Sequence, residues 1–191
     1  MNYVEPIRDK NLIDDMCIYL KNRNRRDCIL FMCGIYIGLR VSDLLLFKVK
    51  DLKRRRQISI REKKTGKQKI FNIPDEFYSI LNQYLETRKD DEYLFKSRQG
   101  NKAITRARAY QILRQAGNYF GLENIGTHTM RKTFGYWYYK NYSDIVGLMK
   151  ILNHSSEAIT KRYIGIEQEE LNRKQKNFKL VDKFSWDDIK I

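Results

Sequence analysis

Cysteine is scarce in this chain: three residues in 191, at Cys17, Cys28 and Cys33. The count is odd, there is no CxxC pair, and neither histidine lies nearby. That pattern excludes a disulfide framework and a zinc site, and is expected of buried thiols in a reducing compartment. Long apolar runs are missing too. The longest uncharged stretch, Cys28 to Leu39, is well short of the ~20 residues a membrane span needs. Met1 to Pro6 lack the apolar core of a secretory signal. No repeat, low-complexity tract or Gly/Ser linker divides the chain, and no glycine-rich phosphate loop suggests an ATP site. What remains is a soluble cytoplasmic protein with one main domain.

Acidic residues are few relative to basic ones. Lys and Arg number 38 against 23 Asp and Glu, a formal charge of +15. An excess of that size in so short a chain points to an anionic partner, nucleic acid before membrane.

Helical periodicity begins after Pro6. Leu12, Ile13, Met16, Cys17 and Leu20 form one stripe from about Asp9 to Leu20, and a basic break, Lys21 to Arg26, precedes a second helix carrying Ile29, Met32, Cys33, Tyr36 and Ile37. This strongly apolar helix runs into Gly38-Leu39-Arg40-Val41-Ser42-Asp43. An arginine there is costly unless its charge meets an acceptor. Either Asp43 pairs with it locally, or Asp43 holds it while the guanidinium forks onto a phosphate. Ser42 is the expected cap of a short third helix.

The period then changes to two in Gln57–Arg61 and in Phe71-Asn72-Ile73, predicting a β-hairpin whose turn holds Lys63, Lys64, Gly66 and Lys67. Nine basic residues and one acid fall between Lys53 and Lys69, so the tip is either a solvated edge or a finger for a DNA groove. A helix is expected from Pro74-Asp75 to about Arg88. Tyr93-Leu94-Phe95 follows as a third strand or an extended link. Thr105 should cap a helix to Tyr119 carrying Arg106, Arg108 and Arg114. Five basic residues and no acid lie from Arg98 to Arg114, a second surface suited to phosphates.

Both histidines fall between Thr127 and Tyr163. Thr127 is a good N-cap, which puts His128 in the first helical turn and Arg131 on the same face. A helix N-terminus attracts phosphate through its free NH groups. The run Tyr136-Trp137-Tyr138-Tyr139 reads as core or boundary. Ser143-Asp144 starts a helix that ends at Asn153, a residue that tolerates the left-handed conformation. His154 then sits in a turn before a Ser155 cap, and Tyr163 follows nine residues later. Residues 167–191 are highly charged, then apolar from Phe178, and would fold back or dock on a neighbouring subunit.

Taken as a set, Gly38-Leu39-Arg40, the lysine turn, His128-x-x-Arg131, Leu152-Asn153-His154-Ser155 and Arg162-Tyr163 resemble the tyrosine recombinases (phage integrase family), in order and over about Asp9 to Ile166. The resemblance implies an α+β fold, mostly α-helical with a small antiparallel hairpin or three-stranded sheet. It implies a catalytic domain over residues 1–166 and a tail, 167–191, exchanged between subunits. Arg40, Lys64, His128, Arg131, His154 and Tyr163 match the catalytic set, and Asp43 its acidic helper; Lys63, Lys67, Arg106 and Arg108 are candidate DNA contacts. Two departures stand out. Asn153 replaces the family's usual glycine, and the N-terminal helical domain that normally clamps the other face of the DNA is not expected in this chain.

The implied chemistry needs neither metal nor ATP. Tyr163 would attack a phosphodiester of double-stranded DNA, leaving a 3′-phosphotyrosyl link that the reverse attack religates. Arg40, Arg131 and His154 would stabilise the charged transition state, His128 would act as base and Lys64 as acid. The family habit is a homotetramer on DNA, which implies a protein associated with the nucleoid. A nicking-and-resealing enzyme like the type IB topoisomerases, or a basic DNA-binding module that no longer reacts, are the alternatives.

Overall fold

The computed structural model describes residues 4–61, 66 and 68–180. Helix α1 (Lys10–Arg23) is capped by Asp9, whose carboxylate accepts from the Asn11 amide. It turns directly into α2 (Arg25–Ile37), because Asn24 both ends the first helix and caps the second through its side-chain oxygen. The expected six-residue break is thus a single residue, whose backbone amide donates to the Leu20 carbonyl to close α1 while its side-chain oxygen accepts from the Arg26 amide to open α2. The short helices α3 (Val41–Leu44) and α4 (Val49–Leu52) follow. Ser42 lies inside α3, with Arg40 at the cap position.

Strands β1 (Gln57–Arg61) and β2 (Gln68–Asn72) pair antiparallel, with Ile58 opposite Phe71 and Ile60 opposite Lys69. Among the described residues the sheet has two strands. The candidate third strand is a link that makes one bridge, between Lys48 and Tyr93. Arg88 pins that link by donating to the carbonyls of Tyr93 and Leu94. The hairpin tip, with Lys63, Lys64 and Lys67, lies outside the described residues.

Helices α5 (Asp75–Leu85), α6 (Arg106–Tyr119, capped by Thr105), α7 (Thr127–Tyr142), α8 (Ile145–Leu152), α9 (Glu157–Ile164) and α10 (Ile166–Lys176) complete the order. No helix among the described residues is long and apolar enough to cross a membrane.

Two cores result. The larger joins α1, α2, α5 and α6 around Phe31, Phe77, Leu81, Phe95 and Leu113; the smaller holds Tyr136, Leu148, Leu152, Ile164 and Ile166. Burying each such side chain is worth about 1.5–3 kcal/mol relative to exposure. Helix α7 belongs to both. Met130 enters the large core and Tyr136 the small one, so two turns of one helix fix the position of one half against the other. The α2–α7 approach depends on Gly34, where a Cβ would lie 2.4 Å from the Met130 sulfur. The segment before α1 is strapped across α7: the Ile7 amide donates to Thr133 Oγ1 at 2.9 Å, and Trp137 Nε1 donates to the Ile7 carbonyl at 3.0 Å. Cys28 and Cys33 are buried and Cys17 is half-buried, all as free thiols.

Candidate active site

The first turn of α7 is closed by Thr129. Its hydroxyl accepts from the Gly126 amide at 3.1 Å, and its own amide donates to the Gly126 carbonyl at 3.0 Å. Gly126 is therefore the cap and Thr127 the first helical residue, one position earlier than the sequence suggests. The buried hydroxyl of Thr129 does the closing, so Thr127 is not needed as cap. His128 still falls in the first turn, facing solvent, with Arg131 one turn below it.

Arg131 is only 3% exposed. One guanidinium nitrogen donates to the Gly38 carbonyl at 2.5 Å and the other to the Leu152 carbonyl at 2.8 Å. Gly38 caps the C-terminus of α2, and Leu152 is the last residue of α8. Carbonyls at such ends lack helical partners and carry the negative end of the helix dipole. A buried cation spanning two of them satisfies both. Two residues beyond Gly38 stands Arg40, and two residues beyond Leu152 stands His154. Arg131 thus fastens together the two segments that carry the other site residues.

Each segment leaves its helix by a left-handed residue. Gly38 has φ 68°, and a Cβ there would meet the Phe134 ring at 2.3 Å, so the position requires glycine for both its backbone and its space. Asn153, at φ 55° and ψ 47°, closes α8 as its chemistry suggests. The end of α8 is further covered by Lys69 of β2, whose ammonium donates to the carbonyls of Lys150 at 3.1 Å and Ile151 at 2.5 Å.

His154 is fixed by Thr160, with Nδ1 3.1 Å from Oγ1. The Thr160 hydroxyl spends its single proton on the Ser156 carbonyl at 3.0 Å, so towards His154 it can only accept. Nδ1 therefore carries a hydrogen, and the other ring nitrogen can donate only when the imidazole is charged. The cap of α9 is Ser156 rather than Ser155, since it is the Ser156 hydroxyl that accepts from the Ile159 amide. Tyr163, near the end of α9, meets His154 edge to face, with ring centroids 5.0 Å apart and planes at 76°.

These groups also act on one another electrostatically. Burial pushes the Tyr163 phenol above its ordinary value; the charge of Arg131, a hydrogen bond from it and the charge of Arg40 pull the other way. Desolvation and then the charges of Arg131, Arg40 and Lys69 lower His154. His128 is lowered by what burial its ring has, then by Arg131, Lys132, Arg106 and Arg40. Arg40, His128, Arg131, His154 and Tyr163, spread over 124 positions from residue 40 to 163, occupy one electrostatic neighbourhood. Asp43 is buried a turn after Arg40, its amide donating to the Arg40 carbonyl at 2.9 Å.

Of the candidate contacts, Arg106 reaches the site through its effect on His128. Arg108 is about 200° further round the helix and bonds Gln111 at 3.3 Å. Lys63, Lys64 and Lys67 are outside the described residues. Three residues of the site were not singled out from the sequence: Thr160, Lys69 and Lys132. Lys132 alone carried a signal, lying four residues after His128 and hence on its side of α7.

Residues 9–170 match the phage integrase family. The probable integrase/recombinase YoeC of Bacillus subtilis is 46% identical over 88% of this chain and 93% of its own length. Tyrosine recombinase XerA of Thermococcus onnurineus is 29% identical over 83% of this chain, which spans only 57% of that protein. Among solved structures, the XerH site-specific recombinase in a post-cleavage complex with its palindromic difH substrate superposes with a TM-score of 0.69, at 22% identity, over 92% of this chain and 54% of that one.

Proposed function

Because the chain belongs to the phage integrase family, we propose that it cleaves and rejoins double-stranded DNA as a site-specific recombinase, with Tyr163 as nucleophile. The observation that carries this reading is the convergence on Tyr163: the His154 ring at 5.0 Å and the hydrogen bond and charge of Arg131, with Arg40 behind them. A structural tyrosine needs no such surround. A phosphodiester does, because its transition state concentrates negative charge on the non-bridging oxygens.

In the forward step the Tyr163 oxygen attacks phosphorus as its proton passes to a base, for which His128 is the candidate. The bond from phosphorus to the 5′ oxygen breaks, and that oxygen leaves as a hydroxyl after taking a proton from Lys64. The product is a 3′-phosphotyrosyl link; attack by a 5′-hydroxyl reverses each transfer. Arg40 and Arg131 supply fixed positive charge throughout. His154 joins them as an imidazolium, a form that the phosphate itself would favour over the neutral ring.

On DNA the protein works as a homotetramer in this reading, with residues 167–191 exchanged between neighbours, and it resides at the nucleoid. The exposure of Phe178 and Leu180, at 69% and 82%, supports a partner for that end of the chain. Tyr163→Phe tests the nucleophile: on nicked suicide DNA the wild type should trap a covalent adduct and the variant none. Equal adduct yields would rule Tyr163 out. Strand exchange between paired sites, against relaxation of supercoiled plasmid, separates a recombinase from a topoisomerase.

A further inference from the structure

We propose that Lys132 is a positioning residue for the nucleophile, its ammonium holding the face of the Tyr163 ring so that the phenol oxygen stays aimed at the phosphate. The inference rests on Tyr163 being the nucleophile.

Lys132 is 8% exposed, and its Nζ lies 5.2 Å from the centroid of the Tyr163 ring. Lysines at the edge of a core normally extend their charge to water. This one is turned inward, and the desolvation it suffers holds its pKa below the usual lysine value. Such a cost persists only where the cation meets something, and the face of an aromatic ring is a partner that attracts it. The neighbouring Arg131 acts on the phenol oxygen of the same tyrosine. Two consecutive residues of α7 therefore hold one side chain at two points, ring face and hydroxyl, while His154 meets the ring at a third.

Tyr163 needs anchoring. It is the last residue but one of an eight-residue helix that ends at Gly165 in the left-handed conformation. Backbone restraint is weakest at such an end, and a displacement of about 1 Å at a reacting atom can cost on the order of 10²-fold in rate. The competing explanation is that Lys132 serves Glu5, whose charge opposes the lowering of its pKa, and merely secures the segment strapped across α7.

The experiment is single-turnover cleavage of suicide DNA at saturating concentration, with DNA affinity and melting temperature measured alongside. Lys132→Met should cleave about 5- to 30-fold more slowly, the range expected from losing a desolvated ammonium–ring contact, with DNA affinity unchanged. Lys132→Arg, which keeps a cation able to lie on the ring, should recover most of the rate, and Glu5→Gln should cleave like wild type. Wild-type cleavage by Lys132→Met would overturn the proposal. So would equal losses in the Met and Arg variants, a defect explained wholly by weaker DNA binding, or a Glu5→Gln variant as slow as Lys132→Met. If Lys132→Met does not fold, Lys132→Gln takes its place in the same comparison with Arg. Tyr163→Phe runs in parallel: adduct formed by that variant would sink the nucleophile assignment and not the lysine's role alone.

Discussion

Lys in place of Arg131 should damage both the fold and the reaction, in separable amounts. The guanidinium donates from two nitrogens to the carbonyls of Gly38 and Leu152, which face it from different helix ends. A lysine ammonium is a single point on a flexible stem and can satisfy one of them. Losing one buried charged hydrogen bond costs about 1.5–3 kcal/mol. In a domain of this size each kcal/mol lowers Tm by about 2–4 °C, so Arg131→Lys should melt about 3–12 °C below wild type by calorimetry. Single-turnover cleavage should fall further than stability explains, by ~10²–10³, because an oriented donor to the transition state is lost and the segments bearing Arg40 and His154 are no longer held in register. The assay is run well below both melting temperatures. An unchanged Tm would refute the two-carbonyl clamp; a lowered Tm with wild-type cleavage would leave Arg131 a purely structural residue.

Three further outcomes are expected. Gly38→Ala should destabilise by ~2 kcal/mol or more, combining a left-handed backbone penalty of about 1–2 kcal/mol with the collision against Phe134 at 2.3 Å; denaturant unfolding reads the stability, and cleavage should fall too because Arg40 is displaced. Asn153→Ala should be about 1 kcal/mol less stable than Asn153→Gly, since only glycine adopts φ 55° without strain; equal midpoints would contradict the conformational account. The third outcome concerns pH. The folded state lowers the His154 pKa, so the unfolded chain binds that proton more readily. The neutral form's stability is whole above the ordinary imidazole value near 6.5 and is lost as pH falls through it towards the lower folded value. His154→Gln should flatten Tm against pH in that window. DNA reverses the preference, since a phosphate favours the imidazolium, and complex formation near neutral pH should take up protons, measurable by calorimetry in buffers of different ionisation heat.

The residues that the fold brings together, Arg40, His128, Arg131, His154 and Tyr163, stood out in the sequence because each sits in a local context with its own physics. His128 and Arg131 are one helical turn apart. Asn153 ends a helix by its tolerance of the left-handed region, and the glycine–leucine–arginine run sits where an apolar helix must stop. Elements with strong periodicity, such as α2, α6 and α8, were readable for the same reason. The cap of α9 was misplaced at Ser155 because neighbouring serines have equal intrinsic ability to cap, and packing turns Ser156 towards the Ile159 amide. That of α7 was misplaced at Thr127 because the turn is closed from inside the helix, by Thr129 accepting from the Gly126 amide. The third strand was ambiguous because a short apolar run pairs only if an edge is presented to it. Here Lys48 offers a single bridge.

By itself the sequence determined the inventory: the basic excess, the order of helices and hairpin, and the few positions where arginine, histidine and tyrosine share a context. These are properties of nearest neighbours along the chain. Tertiary structure decided how the inventory works. That Arg131 reaches Gly38 and Leu152, that Thr160 fixes the proton on His154, and that Lys69 covers the end of α8 are contacts between residues 6 to 93 positions apart. No periodicity encodes such contacts. The clamp exists because α7 packs into both cores at once, which buries Arg131 between the ends of α2 and α8; the other two contacts follow from how β2 and α9 pack around the end of α8.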